Sequence, residues 1–165
     1  MIEVDTLAEA FARHVGSCRS ASIVCALPIA VESWFRVELV PALIDVGVSL
    51  EHVSFNFTYA GTRDKADIAV IGSAHSAVFE LKSFVCSADA NKIEKFPKQI
   101  ARLESLVQTK VATQGIAFCT FFGYTNNRLE GLCKGFFPSS WHTTQVRLLR
   151  EAHPLRFMLA SFHSN

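Results

Sequence analysis

The chain has little charge, and what it has nearly cancels. Only 19% of its 165 residues are Asp, Glu, Lys or Arg, 16 basic against 15 acidic, for a formal +1 at pH 7. That balance excludes a polycation that coats DNA by charge alone, an acidic tail and a polybasic membrane binder. Long apolar runs are also lacking. The stretch from Ile23 to Val31 is broken by Pro28 and falls far short of the ~20 residues a spanning helix needs, so no membrane partner is expected. Met1-Ile2-Glu3-Val4-Asp5 has no basic n-region, so no secretory leader is expected and a cytoplasmic location is. The cysteines (Cys18, Cys25, Cys86, Cys119 and Cys133) are odd in number and scattered, with no CxxC among them. Reduced, mostly buried thiols are therefore expected. The histidines (His14, His52, His75, His142, His153 and His163) form no HxxxH or HxH pair, which leaves no zinc signature. No internal repeat or low-complexity stretch divides the chain.

What is present is apolar. Half the residues are hydrophobic, enough for one globular domain over residues 1–165. Leu7, Ala8, Phe11 and Val15 have helical spacing, with Asp5 or Thr6 as a cap. A second helix is expected over Ile29 to Val46, with Pro41 inside it and Gly47 as its stop. The period then changes. Val53, Phe55, Phe57 and Tyr59 alternate with polar residues, as a strand does. Gly61-Thr62-Arg63-Asp64 reads as a turn, Ala66 to Ile71 as the returning strand and Ser76 to Val85 as a third. Three strands on short turns make an antiparallel meander. Ile93, Phe96, Ile100, Leu103, Leu106 and Val107 restore the helical period, with Pro97 as a start or a kink. Gly115 to Tyr124 reads as a buried strand, which a right-handed crossover joins to the third. Asn126 to Lys134 reads as a short helix, and Gln145 to Arg150 and Arg156 to Phe162 as late strands. The expected class is α/β, a mixed central sheet flanked by helices.

Charge is scarce in the strands, so its placement there is informative. Asp67 interrupts Lys65-Ala66-Asp67-Ile68-Ala69-Val70, and Glu80 and Lys82 interrupt Ala77-Val78-Phe79-Glu80-Leu81-Lys82. Strand side chains alternate, so Glu80 and Lys82 share one face while Phe79 and Leu81 share the other. If the two strands pair, Asp67 can reach the Glu80 face. Buried charges are costly unless paired or bound to metal. Two adjacent carboxylates raise each other's pKa, and a divalent cation removes that repulsion. Oxygen donors with no His or Cys nearby favour Mg²⁺ or Mn²⁺. A lysine beside them can position or help deprotonate a water, or steady developing negative charge. In the second helix Glu38 falls at about 340° from Val31, inside the apolar arc; a metal site or a salt bridge to an internal Arg would account for it. Glu32 lies at the edge of that arc and is a weaker candidate. The alternative for Asp67, Glu80 and Lys82 is a cross-strand ion pair on a solvated face.

Asp67 followed by Glu80-Leu81-Lys82, after an acid-bearing helix, resembles the PD-(D/E)xK superfamily, the restriction-endonuclease-like nucleases. The resemblance covers roughly residues 30 to 125. The order helix, hairpin, ExK strand, helix, strand also resembles that family's core. Ala66 stands where the name-giving Pro would be, a position at which members vary. The resemblance implies a nuclease that hydrolyses phosphodiester bonds, with DNA the first choice of nucleic acid. It implies Mg²⁺ (or Mn²⁺) held by Asp67, Glu80 and Glu38, a water assisted by Lys82, and Gln99 as a further site residue. A homodimer or a protein partner is compatible with it. A second reading keeps the fold without catalysis, as a binding or assembly module in a defence system or an immunity-like partner. A cysteine hydrolase pairing Cys119 or Cys133 with His142 is a third.

The near-neutral total hides a division. Residues 1–91 carry 6 basic and 11 acidic side chains, and residues 92–165 carry 10 and 4. The basic part opens with Lys92, Lys95, Lys98 and Arg102, a stripe suited to phosphate contacts beside the acids.

Overall fold

Period-2 segments in the middle of the chain and 3.6-residue periods around them sort into one sheet between two helical layers. The computed structural model describes residues 1–18, 32–59, 65–73, 75–85, 90–122, 124, 126–148 and 155–163. The turn expected at 61–64 and the apolar stretch 23–31 lie outside these. The elements run α1 (Val4–Ser17), α2 (Glu32–Asp45), a 3-10 turn (Leu50–His52), β1 (Val53–Thr58), β2 (Lys65–Ile71), β3 (Ser76–Val85), α3 (Ala90–Gln108), β4 (Gln114–Phe122), α4 (Asn126–Phe136), β5 (His142–Leu148) and β6 (Leu155–His163). The sheet order is β1-β2-β3-β4-β6-β5. β3 and β4 are parallel and the other neighbours antiparallel, so the class is α/β with a mixed sheet, as expected. No described helix is long and apolar enough to cross a membrane.

The meander and the crossover both form. α3 runs unbroken through Pro97 instead of starting there. Pro97 is exposed, and exposure lets water reach the carbonyl that loses its helical partner. The late strands are longer than expected, with β5 beginning at His142.

Alternation on the strands divides the core in two. Phe79 and Leu81 face α1 and α2, where they join Phe11, Phe35, Leu39, Phe118 and Phe157. Val78 and Phe84 face α3 and α4, with Phe96, Ile100, Leu103, Phe121 and Phe136. β4 is central and buried on both faces, with only Phe122 partly exposed, which explains its continuous apolar run. A Cβ on Gly115 would lie 3.4 Å from Leu103 Cβ, so α3 packs close against β4 here. Trp141 is a plug: it is buried, stacks on Phe162 and donates its indole N–H to Glu104 Oε1 at 2.7 Å. Cys119 is fully buried in β4 while His142 is exposed and pairs with Asp5. The Cys119–His142 nucleophile is thereby ruled out on position.

The hairpin of β1 and β2 breaks the alternation rule. Val53, Ile68 and Val70 pack on the α1/α2 side, but Phe57 and Ala66, of the same parity, pack on the α3 side. The switch falls between the pairs Phe55–Ile68 and Phe57–Ala66. The intervening residues are Asn56, whose φ is 51°, and Asp67. Asn tolerates the left-handed region better than other non-glycine residues.

Phe11 meets Phe118 and Phe157 edge-on, with centroids 4.8 and 4.9 Å apart. Phe11→Ala should therefore cost about 3–5 kcal/mol. Urea unfolding should show a lower midpoint at an unchanged slope; a midpoint equal to that of wild type would contradict this packing.

Candidate active site at the parting of two strands

β2 and β3 pair from Ile71–Ser76 to Ile68–Phe79, and β3 then continues to Val85 along β4. Beyond Phe79, successive β3 residues still present backbone groups to the β2 side at every second position. Unpaired, those groups would be costly to bury. Charged side chains meet them. Asp67 Oδ2 accepts the Leu81 N–H at 2.9 Å, and Glu32 Oε1 accepts the Ser83 N–H at 3.1 Å. Lys92 Nζ donates to the Ser83 carbonyl at 3.1 Å. A carboxylate taking a backbone N–H makes a charge-assisted bond, worth roughly 1.5–3 kcal/mol. The parting of the strands thus fixes where two acids stand.

Glu80 sits one residue further along, on the α3 face, as alternation requires. It is 5% exposed. Gln99 Nε2 donates to its Oε1 at 2.7 Å and Arg102 Nη2 to its Oε2 at 2.9 Å. Gln99 and Arg102 are three apart on α3, hence on one side of the helix. Burial, and then the neighbouring Asp67 charge, raise the Glu80 carboxyl to about 7, against the pull of Arg102 and Lys82; Glu32 adds a further upward push. Asp67, Lys82 and Glu32 are thus close enough for their charges to act on Glu80.

The basic side chains are distributed among the acids. Arg36, one turn after Glu32 on α2, pairs through Nη2 with Asp67 Oδ1 and donates through Nη1 to Asn56 Oδ1 at 2.9 Å. Lys92 Nζ lies 3.9 Å from Glu32 Oε1. Lys82 forms no ion pair among the described residues.

Of the five residues singled out by sequence, the structure brings Asp67, Glu80, Lys82 and Gln99 together. It places Glu38 elsewhere. Its Oε2 lies 2.6 Å from His14 Nε2 on α1, and it is absent from the charges that act on Glu80. The carboxylate in the apolar arc is there to meet α1. The acid that α2 sends to the site is Glu32. Arg36 was missed altogether; its signal was the one-turn spacing from Glu32. Arg102 had been seen only as part of a basic stripe, although it is three residues from Gln99.

The donor set suits a hard divalent ion in kind. Three carboxylates repel one another, and Gln99 Oε1 is a buried carbonyl oxygen with no hydrogen-bond partner among the described residues, a further hard donor. Among the described residues, however, no three Asp, Glu, His or Cys side chains are gathered as they stand to hold an ion, and guanidiniums occupy Asp67 and Glu80. Two surface hollows, of 660 and 320 Å³, are lined by His52 and His75 at the β2–β3 turn and by Phe137 and Trp141 near α4; neither contains these acids. Compared with protein-family models, curated proteins and solved structures, the chain finds no match.

The Glu80 shift makes stability depend on pH. Its ordinary carboxyl value is 4.5, and the folded value is about 7. Between the two, the folded protein keeps a proton that the unfolded chain has lost. Its stabilising contribution is therefore full below 4.5 and is lost as pH rises through 7. Metal-free wild type should lose up to about 3 kcal/mol relative to Glu80→Gln between pH 4.5 and 8. Urea unfolding of both proteins across that window measures the difference; parallel pH profiles would contradict the shift.

Proposed function

We propose that this chain is a Mg²⁺-dependent nuclease of the PD-(D/E)xK pattern, acting on phosphodiester bonds, with DNA as its substrate. The observation that carries the reading is the buried Glu80 carboxyl, with Asp67, Lys82 and Gln99 around it on the expected strands and helix. A buried acid with a raised pKa beside a second carboxylate is an arrangement that clusters at functional sites.

Glu80, Asp67 and Glu32 would hold the ion, with Glu32 taking the place first expected for Glu38. A bound divalent ion would supply an acidified water and neutralise charge developing on the phosphate. The chain's own residues do the rest. As a ligand Glu80 would have to give up its proton, so binding of an ion would weaken as pH falls below about 7. Gln99 fixes the Glu80 carboxylate by its amide N–H. Lys82 Nζ, with no ion pair among the described residues, orients a water and steadies the anion that forms.

The second reading, an inactive nuclease-fold binding module, is favoured by one specific observation. Asp67 already has Arg36 and Glu80 already has Arg102, so the acids are neutralised without metal.

Incubation of plasmid and single-stranded DNA with Mg²⁺ or Mn²⁺ separates the two. Wild type should cut, with Lys82→Ala and Asp67→Ala slower by on the order of 100-fold or more. Glu32→Gln should be comparably slow and Glu38→Gln near wild type. Equal cutting by wild type and variants removes the nuclease reading. No cutting at all, together with no heat on Mn²⁺ addition, turns the reading to the binding module.

A further inference from the structure

We propose that β5 is the pairing edge for a second copy of this chain, joined across a two-fold axis so that the two sheets run on as one. The proposal is independent of the nuclease reading.

The open six-stranded sheet has two edges, β1 and β5. An edge strand with free backbone groups is a template for another chain, and proteins blunt such edges with bulges, twists, prolines or lysines. The two edges here are not alike. β1 is interrupted at Asn56, φ 51°, where the hairpin turns over. β5 reads His-Thr-Thr-Gln-Val-Arg-Leu, with no proline, glycine or lysine and no charge between His142 and Arg147. None of its residues has a positive φ. Its register with β6 is unbroken from His142–Ser161 to Leu148–Leu155. Among the described residues, no strand pairs with its outer edge.

Self-complementary charge on both faces of the sheet favours a second copy as the occupant. A two-fold axis between antiparallel strands stands perpendicular to the sheet, so each helix beside β5 meets its own copy, antiparallel. Such a pair attracts when the helix carries an acid and a base one turn apart, because each then faces its opposite on the copy. On one face, α1 has Glu9 and Arg13, in one stripe with Asp5. Asp5 Oδ2 lies 3.0 Å from His142 Nε2 of β5, while His14 turns the other way to Glu38 of α2. On the other face, α4 has Glu130 and Lys134, which line the 320 Å³ hollow with Thr143 and Gln145 of β5. All four of these charged residues are exposed. None is in an ion pair among the described residues.

The two charged pairs also stand at the same level along the strand. Phe11, midway between Glu9 and Arg13, meets Phe157 edge-on at 4.9 Å, and Phe157 is the register partner of Val146. Gln145 lines the hollow with Glu130 and Lys134. One axis near the middle of β5 therefore serves both. β3 and its copy would be seven strand spacings apart, roughly 34 Å at about 4.8 Å each. The two Glu80 sites do not meet, so pairing is measured without reference to activity.

Sedimentation velocity of the full chain over a dilution series, without DNA or metal, reads the association. Wild type should sediment as a dimer that dissociates on dilution and more readily at high salt. Symmetry makes each substitution act twice. Glu130→Lys sets lysine against lysine and should weaken association about tenfold, as should Arg13→Glu on the other face. Combining Glu130→Lys with Lys134→Glu should restore wild-type association to within about twofold. Amide hydrogen exchange of wild type at low and high concentration locates the interface. Every second amide of β5 should exchange about tenfold more slowly at high concentration. A wild type that stays monomeric throughout the series overturns the proposal. So does a dimer whose β5 amides exchange alike at both concentrations, because its interface lies elsewhere. A double variant that associates no better than Glu130→Lys also overturns it, because the charges then do not face each other across an axis. The exchange measurement needs no variant, so a substitution that fails to fold leaves the proposal open to refutation.

Discussion

The site depends on one constraint: β3 must continue past the point where β2 leaves it. A sheet strand that loses its neighbour exposes a row of backbone donors and acceptors that need new partners. Asp67, Glu32 and Lys92 supply them. Two of the acids near Glu80 are therefore obliged by the fold to be there before any question of chemistry arises. Their negative charge is the by-product of capping β3, and Arg36 and Lys92 answer it in turn. Glu80 differs. It caps nothing on the backbone, it is buried, and its surroundings make its ionisation difficult. That contrast separates the acids the fold needs from the one it does not.

The same constraint explains how α2 and α3 are fixed in relation to each other. They lie on opposite faces of the sheet and do not share a core. Both nonetheless send side chains to the parting between β2 and β3, Glu32 and Arg36 from one side and Lys92, Gln99 and Arg102 from the other. The site is consequently a polar join between two apolar layers. A shift of either helix along the sheet would uncouple charges on both.

The elements and their order along the chain were legible in the sequence because hydrophobic period is a local property, and β3 was placed from Ser76 to Val85 as the apolar strand that follows the turn at Gly72-Ser73. Asp67, Glu80 and Lys82 were legible because charge is conspicuous in an apolar strand. Gln99 came only by resemblance. Glu38 was read as facing the site because its angle on α2 is apolar. Angle around a helix says which side is buried and not what is buried there, and the neighbour is His14 of α1. Whether α3 starts at Pro97 or runs through it stayed open, since that depends on the turn being exposed. The one-turn spacing of Arg36 from Glu32 was visible but its partners were not: Asn56 and Asp67 come together only when the hairpin twists.

That twist has a mechanical meaning. Because Asn56 and Asp67 turn the hairpin over, its two ends are embedded in different cores, Val53 and Ile68 in one, Phe57 and Tyr59 in the other. Ordinary alternation would have kept Phe57 and Ala66 on the same side as Val53 and Ile68. Here it works as a rivet through the edge of the sheet, with Arg36 as its head. Neither helical layer can lift away without pulling on the segment that anchors the other, so the two cores should open as one cooperative unit.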